Sequence, residues 1–231
     1  MPTSYKAILT GKKQLVDRTY LFTFKIIEPD GFSFVAGQYL MLKVPKEHGF
    51  VWRLYSIASP PSQNQAFELI IELIPNGLGS TYVDGLSISQ QVEFMGPAGL
   101  FVLKDPARKR IFLVTGTGIA PVVSMLKGGM ENYELYWGIK SYKEVFMLDE
   151  LKRFNPKICL SRENDLSAIP EADRIFFDKG HVDELFEKNL GEKNVLDMEF
   201  YLCGGREIVE SLRLFLLGKN VPRENIHFEK F

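Results

Sequence analysis

The chain has 231 residues, 45% of them apolar and 25% charged, with a net charge of −1. A globular chain of this length buries on the order of 70% of its unfolded surface, so no staple is needed to hold a core. Near-neutral charge excludes a bulk basic footprint for nucleic acid. The two cysteines, Cys159 and Cys203, are too few for a disulfide framework or for a four-cysteine iron–sulfur cluster held by this chain alone. The first residues, MPTSYKAILTGKKQ, carry no apolar signal core. No apolar run approaches the roughly 20 residues of a membrane span, so a cytoplasmic chain is expected.

The first half reads as β. Tyr20, Phe22, Phe24 and Ile26 alternate with Leu21, Thr23 and Lys25, and Phe67, Leu69, Ile71 and Leu73 alternate with Glu68, Ile70 and Glu72. A period of two argues for strands with one buried face. Turns are expected at Pro29-Asp30-Gly31, Pro60-Pro61-Ser62 and Gly96-Pro97-Ala98-Gly99. Short strands with regular turns imply a small antiparallel barrel or sandwich. The polar stretch Lys104–Arg110 reads as a linker, which divides the chain into a β domain over 1–105 and a second domain over 106–231.

Beyond it, apolar runs at Ile111–Val114, Leu135–Trp137, Ile158–Leu160, Phe200–Cys203 and Ile226–Phe228 alternate with helical stretches near 121–130, 147–154, 181–189 and 206–217. In the last, Ile208, Leu212, Phe215 and Leu216 are expected to share one face. Strand–helix alternation implies a parallel sheet covered on both sides, which binds ligands outside the carboxyl ends of its strands. The β half would then supply a second wall to a cleft.

Several segments suit a nucleotide-type ligand. Arg53-Leu54-Tyr55-Ser56 offers a guanidinium, a ring and a hydroxyl, with Arg53 and Tyr55 on one face of an extended segment. Arginine matches phosphate bidentately, and tyrosine can lie against a flat ligand. On spacing alone, a barrel strand with a surface arginine explains it as well. Gly77-Leu78-Gly79-Ser80-Thr81 is a glycine-rich turn with two hydroxyls; a helix starting near Ser80 would favour a phosphate, and an ordinary capped turn is the plain alternative. Thr115-Gly116-Thr117-Gly118-Ile119-Ala120-Pro121 follows a strand and opens a helix, with Pro121 suited to the first turn. Its glycines would let a nucleotide backbone approach. Ser161-Arg162-Glu163, Cys203-Gly204-Gly205 and Glu229-Lys230-Phe231 each fall at a strand's carboxyl end.

Taken in order, these motifs resemble the ferredoxin–NADP reductase superfamily of plant-type flavoprotein reductases across nearly the whole chain. Arg53–Ser56 is similar to its R-x-Y-S/T flavin signature, Gly77–Thr81 to its second flavin motif, Thr115–Pro121 to its G-T-G-I-A-P nucleotide motif, Cys203-Gly204 to its C-G pair, and Glu229–Phe231 to its acidic–spacer–aromatic terminus. Ala36-Gly37-Gln38-Tyr39 and Gly96–Gly99 also match its pattern. The resemblance implies an antiparallel barrel holding FAD followed by a Rossmann-like NAD(P) domain. It implies that Tyr55 stacks on the isoalloxazine, that Arg53 faces the pyrophosphate and that Leu54 lines the FAD site. Ser56 would sit near flavin N5, and Gly79, Ser80 and Thr81 would hold phosphate. Thr115, Gly116, Thr117, Gly118 and Gly204 would approach the nucleotide, with Cys203 beside nicotinamide C4. Glu229 would be the active-site carboxylate and Phe231 the ring covering the flavin, displaced when nicotinamide enters. No metal site is implied.

The implied activity passes electrons from a nicotinamide nucleotide through FAD to ferredoxin or flavodoxin, one at a time. Arg162, next to Ser161, together with Lys140 and Lys179 would favour NADPH, although Glu163 and Asp165 dilute that field. NADH use stays open. So do a role as the NADH-dependent reductase component of a multi-component oxygenase with a separate iron–sulfur protein, as a free flavin reductase, and as a non-catalytic flavin- or nucleotide-binding subunit. The family resemblance favours a monomer.

Overall fold

The computed structural model describes residues 3–63, 65–105, 107–191 and 194–231. Two compact units emerge. The first joins the chain up to Leu103 with Ala120–Gly129, and the second joins Lys104–Ile119 with Met130–Phe231.

The first unit holds β1 (Thr3–Val16), β2 (Thr19–Glu28), β3 (Tyr39–Pro45), β4 (Phe50–Ser56), β5 (Ala66–Glu72), α1 (Leu78–Asp84), β6 (Gln91–Ala98) and α2 (Ala120–Lys127). Its strands pair antiparallel in the order β4-β3-β6-β1-β2-β5. A bridge between Ile57 and Leu69 joins the chain after β4 to β5, so the expected barrel closes. The period of two is visible inside: Phe22 and Phe24 of β2 and Phe67 and Leu69 of β5 are fully buried. Phe67 sits edge-to-face on Phe94 at 4.9 Å and stacks on Phe24 at 5.3 Å. Gly96–Ala98 was expected as a turn but belongs to β6. A Gly-Pro pair resembles a turn locally, and here Ala98 still pairs with Tyr39 of β3.

The second unit holds β7 (Lys109–Thr115), β8 (Tyr133–Ile139), α3 (Leu148–Leu151), β9 (Lys157–Leu160), β10 (Phe177–Lys179), α4 (Val182–Leu190), β11 (Met198–Gly204), α5 (Arg206–Gly218) and β12 (Ile226–Lys230). The sheet is parallel throughout, in the order β10-β9-β8-β7-β11-β12. Ile111, Leu113, Phe200 and Leu202 form its core with Leu185 and Phe186 of α4 and Val209, Leu212 and Leu216 of α5. Ile208 is 47% exposed and Val209 takes its place on the buried face. Glu229 and Lys230 lie within β12 rather than beyond it. β10 escaped the sequence reading because three residues are too few to show a period.

The expected linker is anchored. Pro106 lies outside the described residues, Lys109 and Arg110 belong to β7, and the Lys104 amide donates to the Tyr201 hydroxyl at 3.0 Å. Among the described residues no helix is long and apolar enough to cross a membrane.

Candidate functional site

In the barrel unit, β4 carries Arg53–Ser56. Its register places Arg53 opposite Leu42 and Tyr55 opposite Leu40, so both point to the face that buries those leucines. Tyr55 packs half-buried against the barrel core, and burial raises its phenol while the Arg53 charge opposes the rise. The exposed Arg53 donates to its neighbour's Trp52 carbonyl at 3.2 Å. It has no carboxylate partner among the described residues. Leu54 is on the opposite face, 56% exposed.

Gly79, in the first turn of α1, rests directly on this pair. A Cβ built there would stand 2.8 Å from the Tyr55 hydroxyl and 3.0 Å from Arg53 Cγ. The glycine therefore brings Ser80 and Thr81 close to the arginine and the ring. The Ser80 hydroxyl accepts from the Ile74 amide at 2.8 Å, which shapes the turn and leaves its own proton to donate. A guanidinium without an acidic partner among the described residues, a half-buried phenol ring and two hydroxyls around a glycine form a donor set that fits FAD.

In the parallel-sheet unit the chain runs outward from β7 to β10 and then returns to β11 on the other side of β7. That reversal makes the carboxyl ends of β7 and β11 the expected ligand crevice. The glycine turn Gly116–Ile119 leaves β7 there, and Cys203-Gly204 ends β11. The two segments interlock: a side chain at Gly118 would strike the Cys203 carbonyl, and one at Gly204 would strike the Thr115 hydroxyl. Gly116 has φ +53 with nothing within 4 Å of its would-be Cβ, so its outward side is open. The Trp137 indole holds the Gly116 carbonyl at 2.9 Å.

Cys203 pairs in register with Glu229 of β12. Burial pushes its thiol well above the usual range and the Glu229 charge adds to the rise, so it stays protonated at neutral pH. The Phe231 amide donates to the Gly204 carbonyl at 3.3 Å and its ring is 66% exposed. On the opposite flank, Lys140 follows β8, Ser161 and Arg162 follow β9, and Lys179 ends β10. The Arg162 amide donates to the Lys140 carbonyl at 2.8 Å, which holds the two backbone segments side by side. Glu163 is occupied by the Tyr142 amide, at 3.2 Å, and the Asp165 carboxylate by the Ser167 amide, at 3.0 Å.

Two family models match consecutive stretches of the chain: an oxidoreductase FAD-binding domain over residues 6–103 and an oxidoreductase NAD-binding domain over residues 112–213. The chain belongs to the ferredoxin–NADP reductase family. It binds FAD in the first domain and a nicotinamide nucleotide in the second, as a flavoprotein oxidoreductase. Its relatives are of more than one kind. It is 28% identical over 233 residues to the toluate 1,2-dioxygenase electron transfer component of Pseudomonas putida, covering 98% of this chain and 67% of that protein. It is equally 28% identical over 242 residues to ferredoxin–NADP reductase B of Sorangium cellulosum, covering 98% of this chain and 97% of that one. In fold it is similar to a ferredoxin NADP+ reductase from Neisseria gonorrhoeae with bound FAD and NADP, with a TM-score of 0.80 at 20% identity over 98% of both chains.

Sequence reasoning missed two groups that shape these segments. Trp137 looked like any core aromatic, and Ser124 was a lone hydroxyl inside the apolar helix after the glycine motif. An isolated polar residue in an otherwise apolar run was the available signal.

Proposed function

We propose that this chain is the reductase component of a multi-component oxygenase system, delivering electrons from NADPH through FAD to a separate iron–sulfur protein. The layout of the parallel sheet carries the nucleotide part of this reading. Lys140 follows β8, Arg162 follows β9 and Lys179 ends β10, the glycine turn follows β7, and Cys203 and Glu229 are the penultimate residues of β11 and β12. A dinucleotide laid along that edge would meet positive charge at one end and a protonated thiol beside a carboxylate at the other. The similarity to a dioxygenase electron transfer component supports the acceptor, and favours it over the ferredoxin or flavodoxin that the family resemblance suggested first.

When bound, FAD accepts a hydride as an electron pair and releases electrons singly. The chain's own residues bind and orient. Residues 1–105 would hold the flavin and 106–231 the nucleotide. Arg53 would grip the FAD pyrophosphate bidentately, helped by the hydroxyls of Ser80 and Thr81, while the Tyr55 ring would lie against the flavin and Ser56 near N5. Gly116, Thr117 and Gly118 would let the nucleotide phosphates approach the backbone. Lys140, Arg162 and Lys179 would surround a 2′-phosphate. Cys203 would sit beside nicotinamide C4, Glu229 would set the polarity there, and the Phe231 ring would yield to the nicotinamide.

The test is an anaerobic absorption titration of the FAD-loaded protein with NADPH and, separately, NADH. A sample of the reduced protein is then mixed with a [2Fe–2S] oxygenase ferredoxin or with a flavodoxin. Flavin bleaching at low NADPH and rapid reduction of the iron–sulfur protein are expected. Bleaching with NADH alone overturns the nucleotide assignment, preferential reduction of flavodoxin overturns the acceptor, and no bleaching overturns the reductase reading.

A further inference from the structure

The helix after the glycine motif is unusual in its surroundings. Ala120 and Pro121, the last residues of that motif, open α2, and every residue from Ala120 to Leu126 is buried. A helix that is apolar all round is a core element. Its one buried polar side chain is Ser124, fully buried. A serine in a helix ordinarily turns its hydroxyl back to the carbonyl one turn earlier. Ser124 instead donates to the Ser59 carbonyl at 2.6 Å, across 65 residues of chain.

Ser59 lies three residues beyond Ser56, in the segment that leaves the flavin-binding strand. That segment is pinned on its other sides too. The Ala58 amide donates to the Glu68 carbonyl at 2.8 Å, the Ser59 hydroxyl accepts from the Glu68 amide at 3.1 Å, and the Ile57 amide donates to the Gln38 carbonyl at 3.0 Å. Two further contacts hold α2 in place. Lys127 reaches Glu68 at 3.8 Å, and a Cβ at Gly37, next to Gln38, would stand 2.5 Å from Met125 Cε. The helix that begins with the nucleotide motif is therefore a fixed part of the unit that carries the flavin motif.

We propose that Ser124 is a positioning residue for hydride transfer: its bond to the Ser59 carbonyl fixes the end of the nucleotide motif relative to Arg53–Ser56. This rests on the reductase reading above. With FAD and the nucleotide bound, a hydride would pass whole from nicotinamide C4 to the flavin, the C4–H bond breaking as an N–H bond forms, and misplacement of about 1 Å can slow such a step by up to about a hundredfold. Ser124 touches neither reactant; it acts through the backbone on either side of it.

The experiment compares Ser124→Ala with Val123→Ala, a truncation in the same buried helix that leaves the hydroxyl bond in place. Single-turnover bleaching by NADPH is measured anaerobically for each FAD-loaded protein, with the melting temperature, and amide exchange over residues 120–127 is measured in the flavin-free chains. In Ser124→Ala the limiting rate is expected to fall about ten- to a hundredfold. Its half-saturating NADPH concentration should stay near that of the unsubstituted protein, and exchange across the helix should rise. Val123→Ala should melt earlier yet keep its limiting rate. An unchanged rate in Ser124→Ala overturns the proposal, as does a rate that tracks melting temperature in both variants. Unchanged exchange overturns the tie itself, whatever the rates. If the unsubstituted protein is not bleached, the reductase reading has failed and takes the positioning role with it, while the exchange data still decide whether the tie exists.

Discussion

The two units bury different kinds of polar group. In the barrel unit they are hydroxyls, Thr19, Ser59 and Ser124; in the parallel-sheet unit they are Arg110, Glu199 and Asn225. A buried hydroxyl needs one partner, and the surrounding aromatic cluster supplies the stability. A buried charge needs a network. Glu199 accepts from the Tyr201 hydroxyl at 2.7 Å and lies 3.5 Å from His227 Nε2. Arg110 donates to the carbonyls of Asp105 and Glu131 at 3.0 and 2.9 Å. The barrel should therefore respond to packing changes and the parallel sheet to charge and pH.

The sharpest way to break that contrast is in the barrel core. Phe67→Ala removes the ring that meets Phe24, Phe32 and Phe94, and should cost about 4 kcal/mol in denaturant unfolding. A loss below about 1 kcal/mol would mean the cluster collapses to fill the gap. Next, Glu199→Ala strips the acceptor from Tyr201 and should cost about 2 kcal/mol. That loss should shrink sharply in Glu199→Gln, which keeps an acceptor. At the nucleotide edge, Arg162→Ala should raise the Michaelis constant for NADPH about tenfold and leave that for NADH alone; equal rises would remove the assignment to a 2′-phosphate.

The smallest effect is a pH slope. Burial lowers the His227 pKa from 6.5, with the nearby Glu199 charge opposing and the Lys104 charge adding to the shift. The unfolded chain thus binds the proton more readily, so stability falls as pH drops below about 6.5 and levels off beneath the folded value. His227→Gln should flatten that slope. Persistence of the slope in the variant would assign it to other groups.

What could be read from sequence was what is encoded locally. Alternation at Phe22, Phe24 and Ile26 and the glycines at 116 and 118 report on their own neighbourhood, and both the barrel and the parallel sheet were visible in them. The site motifs were legible as an ordered series, yet their interlocking was not. That Gly118 must be bare because the Cys203 carbonyl lies against it is a fact about residues distant in the chain. The face of α5 was misphased at Ile208 because helical period fixes a stripe only to within one residue, and the neighbours select it. The partner of α2 was hidden for the same reason, since a bond spanning 65 residues leaves no local trace.

That bond also bears on how such proteins can be recombined. A single cut in the stretch around Lys104–Arg110 would release a barrel stripped of α2, with the Ser59 carbonyl bared and the Gly37 surface uncovered. The barrel unit is discontinuous in the chain, so grafting it onto a foreign nucleotide-binding domain needs three crossovers, after Leu103, before Ala120 and after Gly129. Chimeras joined at one point would inherit a mismatched helix. Those that carry α2 along with its barrel should express and fold, because the cargo that must travel together is set by hydrogen bonds and not by the order of the domains.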